Sequence, residues 1–149
     1  MAIRGSCLCG GVVFEVDELE ATFEVCHCSR CRKMTGAASL PAALARKKHY
    51  RLLDGADLIQ RFEAPLRRRP PAYVSTFCGR CGSVVPFAEK DSDFLEIPAG
   101  LFDSDPGVMP DKHIFVEYRP SWDRQSGLPE FTAEEILAHR ADRLDSGSP

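Results

Sequence analysis

Seven cysteines in a chain of 149 residues fall into three groups: Cys7-x-Cys9, Cys26-x-Cys28-x-x-Cys31 and Cys78-x-x-Cys81. Thiolates clustered at such spacings are soft metal ligands. An odd count with no apolar leader at "MAIRGSC" argues against a secreted disulfide framework. "CGRCG" (Cys78–Gly82) reads as a zinc knuckle whose glycines free the backbone for a tight turn, and "CLCGG" (Cys7–Gly11) is similar with one spacer fewer. In an extended strand residues i and i+2 share a face, so Cys26 and Cys28 aim together while His27 turns away, and "SRC" can curl to bring Cys31 beside them. The simplest partition of seven is four plus three. Cys7, Cys9, Cys78 and Cys81 would close around a structural zinc, and Cys26, Cys28 and Cys31 would hold a second ion with one open position. A rival partition joins Cys28-x-x-Cys31 to Cys78-x-x-Cys81 as a zinc ribbon and leaves three thiols idle. The spacing matches no common ferredoxin run.

The trio dictates its own chemistry. Zinc with three thiolates carries one net negative charge, which makes it a weak Lewis acid for generating hydroxide, unlike ions held by neutral histidines. A fourth soft ligand suits it better, and a substrate thiol qualifies. Bound as thiolate, that sulfur is the nucleophilic form. The expectation is thiol activation toward an electrophilic carbon rather than hydrolysis.

Short strands must position these ligands. "GVVFEV", "ATFEVCHC", "ASLPAAL", "HYRLL", "LIQRF", "AYVSTF", "SVVPFA", "DFLEIPA" and "HIFVEY" are rich in β-branched and aromatic residues. Turn signals such as Asp54-Gly55 and Asp105-Pro106-Gly107 lie between them. The pattern predicts a mainly β fold of antiparallel strands, with Pro41, Pro86 and Pro98 at edges or bulges. "TAEEILAHRADRL" predicts a short C-terminal helix, with Thr132 as cap and Glu135 completing a capping box. "DSGSP" reads as a frayed tail.

Composition sets the outer bounds. The net charge of −3 and the pI of about 5.8 imply no basic face and no nucleic-acid role. No apolar run reaches the roughly 20 residues of a membrane helix. The expectation is a cytoplasmic single domain spanning 1–149. The arginine run Arg67–Arg69, like Arg32 and Lys33, reads as exposed chain, with an anion-holding role as the alternative. Trp122 is expected in the core, and His113 is given no role.

"GSCLCGGVVFEV", "CHCSRCRKMTG", "FCGRCGS", "PAGLFD" and "HIFVEYRPSW" occur in that order. Together they resemble the glutathione-dependent formaldehyde-activating enzyme and centromere protein V family over about residues 5–131, leaving a helix and tail at 132–149. The resemblance implies a tent-like fold of antiparallel β-sheets and decides for the four-plus-three partition. Cys7, Cys9, Cys78 and Cys81 match the family's structural zinc ligands; Cys26, Cys28 and Cys31 match its catalytic zinc ligands. It implies two Zn2+ ions per chain and a carbon–sulfur lyase that joins glutathione to formaldehyde, giving S-(hydroxymethyl)glutathione. A lyase on a different thiol adduct, or a non-catalytic zinc module that binds a protein partner, is the alternative. The absence of a basic extension weighs against the module.

Overall fold

The computed structural model describes residues 2–67, 72–124 and 127–138. The chain forms two compact units, Met1–Arg119 and Pro120–Pro149. The first unit is mainly β. Its strands are β1 (Ile3–Ser6), β2 (Val13–Val16), β3 (Phe23–Cys26), β4 (Leu40–Arg46), β5 (Tyr50–Asp54), β6 (Ile59–Glu63), β7 (Val74–Cys78), β8 (Phe94–Pro98) and β9 (Lys112–Ile114). The helix α1 (Ser29–Thr35) follows β3.

Three small sheets result, ordered β1-β2-β5, β8-β4-β3-β9 and β6-β7. Every pairing is antiparallel except β3 with β9, where Val25 stands beside His113. Alternation drives the packing: Phe14 and Val16 of β2 meet Ala45 of β4 and Leu95 and Ile97 of β8 in the central core. Two further apolar clusters each enclose cysteines. Cys7 and Cys78 are buried with Val12 and Val85, and Cys31 is buried with Leu40 and Ala42.

The prolines obey the ladder. Pro41 pairs with Val25 but lies beyond the stretch of β4 that β8 reaches, and Pro98 ends the edge strand β8. Two expected strands fail. Residues 83–88 are irregular apart from one bridge, Val84 to Phe77, because backbone bonds there close the turn after Cys78: Cys78 N–H donates to Ser83 O and Gly82 N–H to Cys78 O. The "HIFVEY" strand stops at Ile114, since Phe115 adopts a left-handed φ of 55° and starts a 3-10 turn over Val116–Tyr118. The strand β1 and the helix α1 are additions that composition did not announce.

In the second unit, Thr132 N–H donates to Glu135 Oε2 at 2.6 Å and Glu135 N–H to Thr132 Oγ1 at 3.3 Å, which forms the expected capping box at the head of helix 133–138. Trp122 is 59% exposed rather than in a core; it sits in the short turn Ser121–Arg124. The expected "DSGSP" tail, and Arg68 and Arg69, lie outside the described residues. No described helix is long and apolar enough to cross a membrane.

Candidate metal centres and the adjoining cleft

The β1–β2 turn and the turn after β7 each offer two sulfurs. Cys7 N–H donates to Val12 O at 3.0 Å and Gly10 N–H to Cys7 O at 2.8 Å, with Gly10 at a left-handed φ of 71°. The Cys78 turn repeats the arrangement, with Gly82 at φ 77°. Leu8 N–H donates to Ser83 Oγ at 3.0 Å and so joins the two turns. The four Sγ atoms of Cys7, Cys9, Cys78 and Cys81 lie within 4.8 Å of one another. Cys7 and Cys9 sulfurs are 3.5 Å apart, and Cys9 and Cys78 sulfurs 3.9 Å. Tetrahedral zinc, with bonds of about 2.3 Å to sulfur, sets its sulfurs about 3.8 Å apart, so the quartet fits that ion. The Ser83 hydroxyl beside Cys81 holds its thiol down, to about 5, in support of a thiolate there.

The trio is built by a strand end and a helix start. Cys26 ends β3 and Cys28 caps α1, its sulfur accepting from Cys31 N–H at 3.4 Å. Arg, Lys and Met favour helix, and Gly36 at φ 67° ends it in the left-handed cap. One turn carries Cys31 over Cys28, and the three sulfurs lie within 4.8 Å of one another. Among the described residues no fourth Cys, His, Asp or Glu ligand joins them, whereas the quartet is complete. Burial, reinforced by the neighbouring Cys28 and Cys26 sulfurs, pushes the Cys31 thiol far up. Cys28 and Cys31 do not join Cys78 and Cys81, so a zinc ribbon is not what the fold assembles.

His27 faces away from the sulfurs, as alternation predicts, but not into solvent. It is fully buried. Its Nε2 lies 2.9 Å from His113 Nδ1, and Arg119 Nη2 is 3.0 Å from both ring nitrogens. This cluster, together with His27 N–H donating to Ile114 O, fastens the Cys26–Cys28 segment to β9 and gives His113 a positioning role.

A cleft of about 700 Å³ opens between α1 and the β6–β7 hairpin; Cys26, Cys28 and Cys31 do not line it, but Met34, which does, packs in the same cluster as Cys31. Alternation points Tyr73, Ser75 and Phe77 into it while Thr76 and Cys78 turn to the opposite, buried face. Tyr73 joins cleft to trio: its hydroxyl donates to Met34 Sδ at 3.0 Å, and burial, then the Cys31 sulfur, raises its pKa. Lys33 and Arg67 of the expected anion-holding residues line the cleft, and Arg32 does not. Arg30, which sequence reading passed over, lines it too, stacked over Tyr73 at 5.5 Å and donating to Pro65 O.

Comparison with known proteins agrees with this architecture. The family described as "Glutathione-dependent formaldehyde-activating enzyme" matches residues 2–118. A Halomonas elongata protein named "Putative glutathione-dependent formaldehyde-activating enzyme" is 28% identical over 152 residues, across 100% of this chain and 90% of that one. A Rhodobacter sphaeroides protein of known crystal structure shares the fold at a TM-score of 0.54 and 23% identity, over 72% of this chain and 98% of that one.

Proposed function

The chain belongs to the glutathione-dependent formaldehyde-activating enzyme family, and from that premise we infer that it is a zinc-dependent carbon–sulfur lyase joining glutathione to formaldehyde. In this reading the chain is one zinc-binding domain acting in a reducing cytoplasm. Cys7, Cys9, Cys78 and Cys81 bind a structural zinc. Cys26, Cys28 and Cys31 bind the catalytic one. The observation that carries the reading is the difference between the two groups: four sulfurs converge at one, three at the other.

Zinc at the trio supplies a site where a substrate thiol is held as its reactive thiolate at neutral pH. The chain's own residues do the rest. The buried Cys31 and the cap position of Cys28 set the sulfurs that, with Cys26, would hold the ion. Lys33, Arg30 and Arg67 offer cationic partners for the two carboxylates of glutathione. The sulfur bonds to the formaldehyde carbon, the carbonyl π pair moves to oxygen, and the proton lost from the thiol ends on that oxygen. The reverse reaction breaks the same carbon–sulfur bond.

Cobalt in place of zinc tests the open position. Adding glutathione is expected to change the visible absorption of the wild-type protein and to leave that of Cys28→Ser unchanged. Exchange between formaldehyde and its glutathione adduct, followed by NMR, is expected to run faster with wild type than with Cys28→Ser or buffer. Equal rates in all three would remove the activity. A silent cobalt spectrum would favour a non-catalytic zinc module instead.

A further inference from the structure

The cleft beside the trio is larger and more apolar than a one-carbon aldehyde requires. Its walls are Met34 of α1, Phe62 of β6, and Tyr73 and Phe77 flanking and forming β7. Phe62 is 58% exposed, so the fold itself does not use most of its ring. The pairing of Phe62 with Ser75 and of Gln60 with Phe77 sets the two phenylalanines on the same face of the hairpin. The rim is cationic. Some cations of this unit meet carboxylates, Arg46 with Glu20, Arg51 with Asp17, Arg61 with Glu89 and Lys112 with Asp111, while others do not, such as Lys47, which donates to the Glu89 and Lys90 carbonyls. Among the described residues Arg30, Lys33 and Arg67 have no carboxylate partner; Arg67 donates to Ser29 Oγ at 2.9 Å, and Arg30 to a backbone carbonyl.

A ligand that matches such a surface has two parts: carboxylates for the rim and an apolar body for the walls. Glutathione supplies the carboxylates, but its apolar part is only a few methylenes. Formaldehyde supplies a single carbon. Those few methylenes and one carbon offer little apolar area for the rings of Phe62, Tyr73 and Phe77, and burying such rings is favourable. We propose that the cleft receives an apolar group carried on the adduct sulfur, so that the substrate class extends to adducts of carboxylate-bearing thiols with alkyl or aryl aldehydes. The proposal rests on the lyase reading above. The chemistry is unchanged: the thiol sulfur bonds to the carbonyl carbon, the oxygen takes the thiol proton, and nothing is oxidised or reduced. What changes is the group on that carbon, which lies against Phe62 and Phe77.

S-methylglutathione and S-hexylglutathione separate the cleft from the metal, because neither has a thiol to offer an open coordination position. Calorimetric titration of the zinc-loaded full chain is expected to show the hexyl compound binding at least about tenfold more tightly than the methyl one. In Phe62→Ser that ratio is expected to fall to within about threefold, and in Lys33→Gln both affinities weaken while the ratio stays. Equal binding of the two compounds to wild type would overturn the proposal, as would a ratio that survives intact in Phe62→Ser. The cobalt spectrum with glutathione reports on the lyase reading alone, so a silent spectrum with a large hexyl preference, or the reverse, shows which of the two has failed.

Discussion

Cys31 and Cys81 sit at opposite extremes of the thiol range. Burial and the adjacent Cys28 and Cys26 sulfurs push Cys31 up, while the Ser83 hydroxyl, 3.4 Å from the sulfur, helps hold Cys81 down to about 5. Each group also holds a thiol shifted the other way, Cys28 down in the trio and Cys9 up to about 11 in the quartet, so single thiols do not rank the two sites. Protons displace metal from thiolates, and three sulfurs hold an ion less firmly than four, so on acidification the trio is expected to lose its ion first and the quartet later. Zinc release followed with a chromogenic chelator during a downward pH titration is expected to show two steps. The higher-pH step should be missing from Cys28→Ser. One merged step in the wild-type protein would show that three sulfurs hold their ion as firmly as four. At this scale the trio and the two cysteine pairs were legible from spacing, since i, i+2 and i, i+3 repeats aim neighbouring sulfurs together; that the two pairs meet as a quartet was carried by the family resemblance, not by spacing. Arg30 and Tyr73 were not, because a cleft is a meeting of α1 with a hairpin some forty positions away, as the contacts of Arg30 with Pro65 and of Tyr73 with Met34 make plain.

Elements explain why some parts of the fold could be read and others not. Strands such as β2 and β8 declare themselves because alternate residues are buried, and a period of two survives in the sequence. The helix α1 has only seven residues, too few for a helical period, and its cysteines disguise it as a knuckle. Residues 83–88 have strand composition, yet Ser83 is taken into the Cys78 turn and only Val84 and Val85 reach β7, so no strand forms there. Glycines give the elements a measurable test. Gly36 caps α1 at φ 67° with open space where a Cβ would stand. Gly55, at φ 80°, would place a Cβ 2.1 Å from Gly11 O, in the segment that carries Cys9. Gly36→Ala is expected to cost only the left-handed strain, about 1 kcal/mol. Gly55→Ala adds a backbone collision to that strain, and a loss of roughly 3 kcal/mol or more is expected in urea unfolding. Similar losses for the two would mean that the β5 turn yields easily and does not brace the quartet.

Over the whole molecule the proposed reading has the two cysteine groups divide the labour between holding the fold and meeting a ligand. The quartet joins turns 69 residues apart, between Cys9 and Cys78, and links the β1-β2-β5 sheet to the β6-β7 hairpin. Closing so long a loop constrains the unfolded chain, and a metal that binds only the folded arrangement contributes its binding energy to folding. The trio spans six positions and ties only β3 to α1, so an ion there would hold together chain that is already adjacent. Substitution at the two sites should therefore separate stability from ligand response. Cys78→Ser, at a fully buried position, is expected to lose about 3 kcal/mol or more, which lowers the melting temperature by roughly 6–12 °C. Cys28→Ser is expected to melt within about 3 °C of wild type while losing the cobalt response to glutathione. Two variants melting at the same temperature would contradict this division, because it would mean that a local knuckle stabilises the molecule as much as a link across its length.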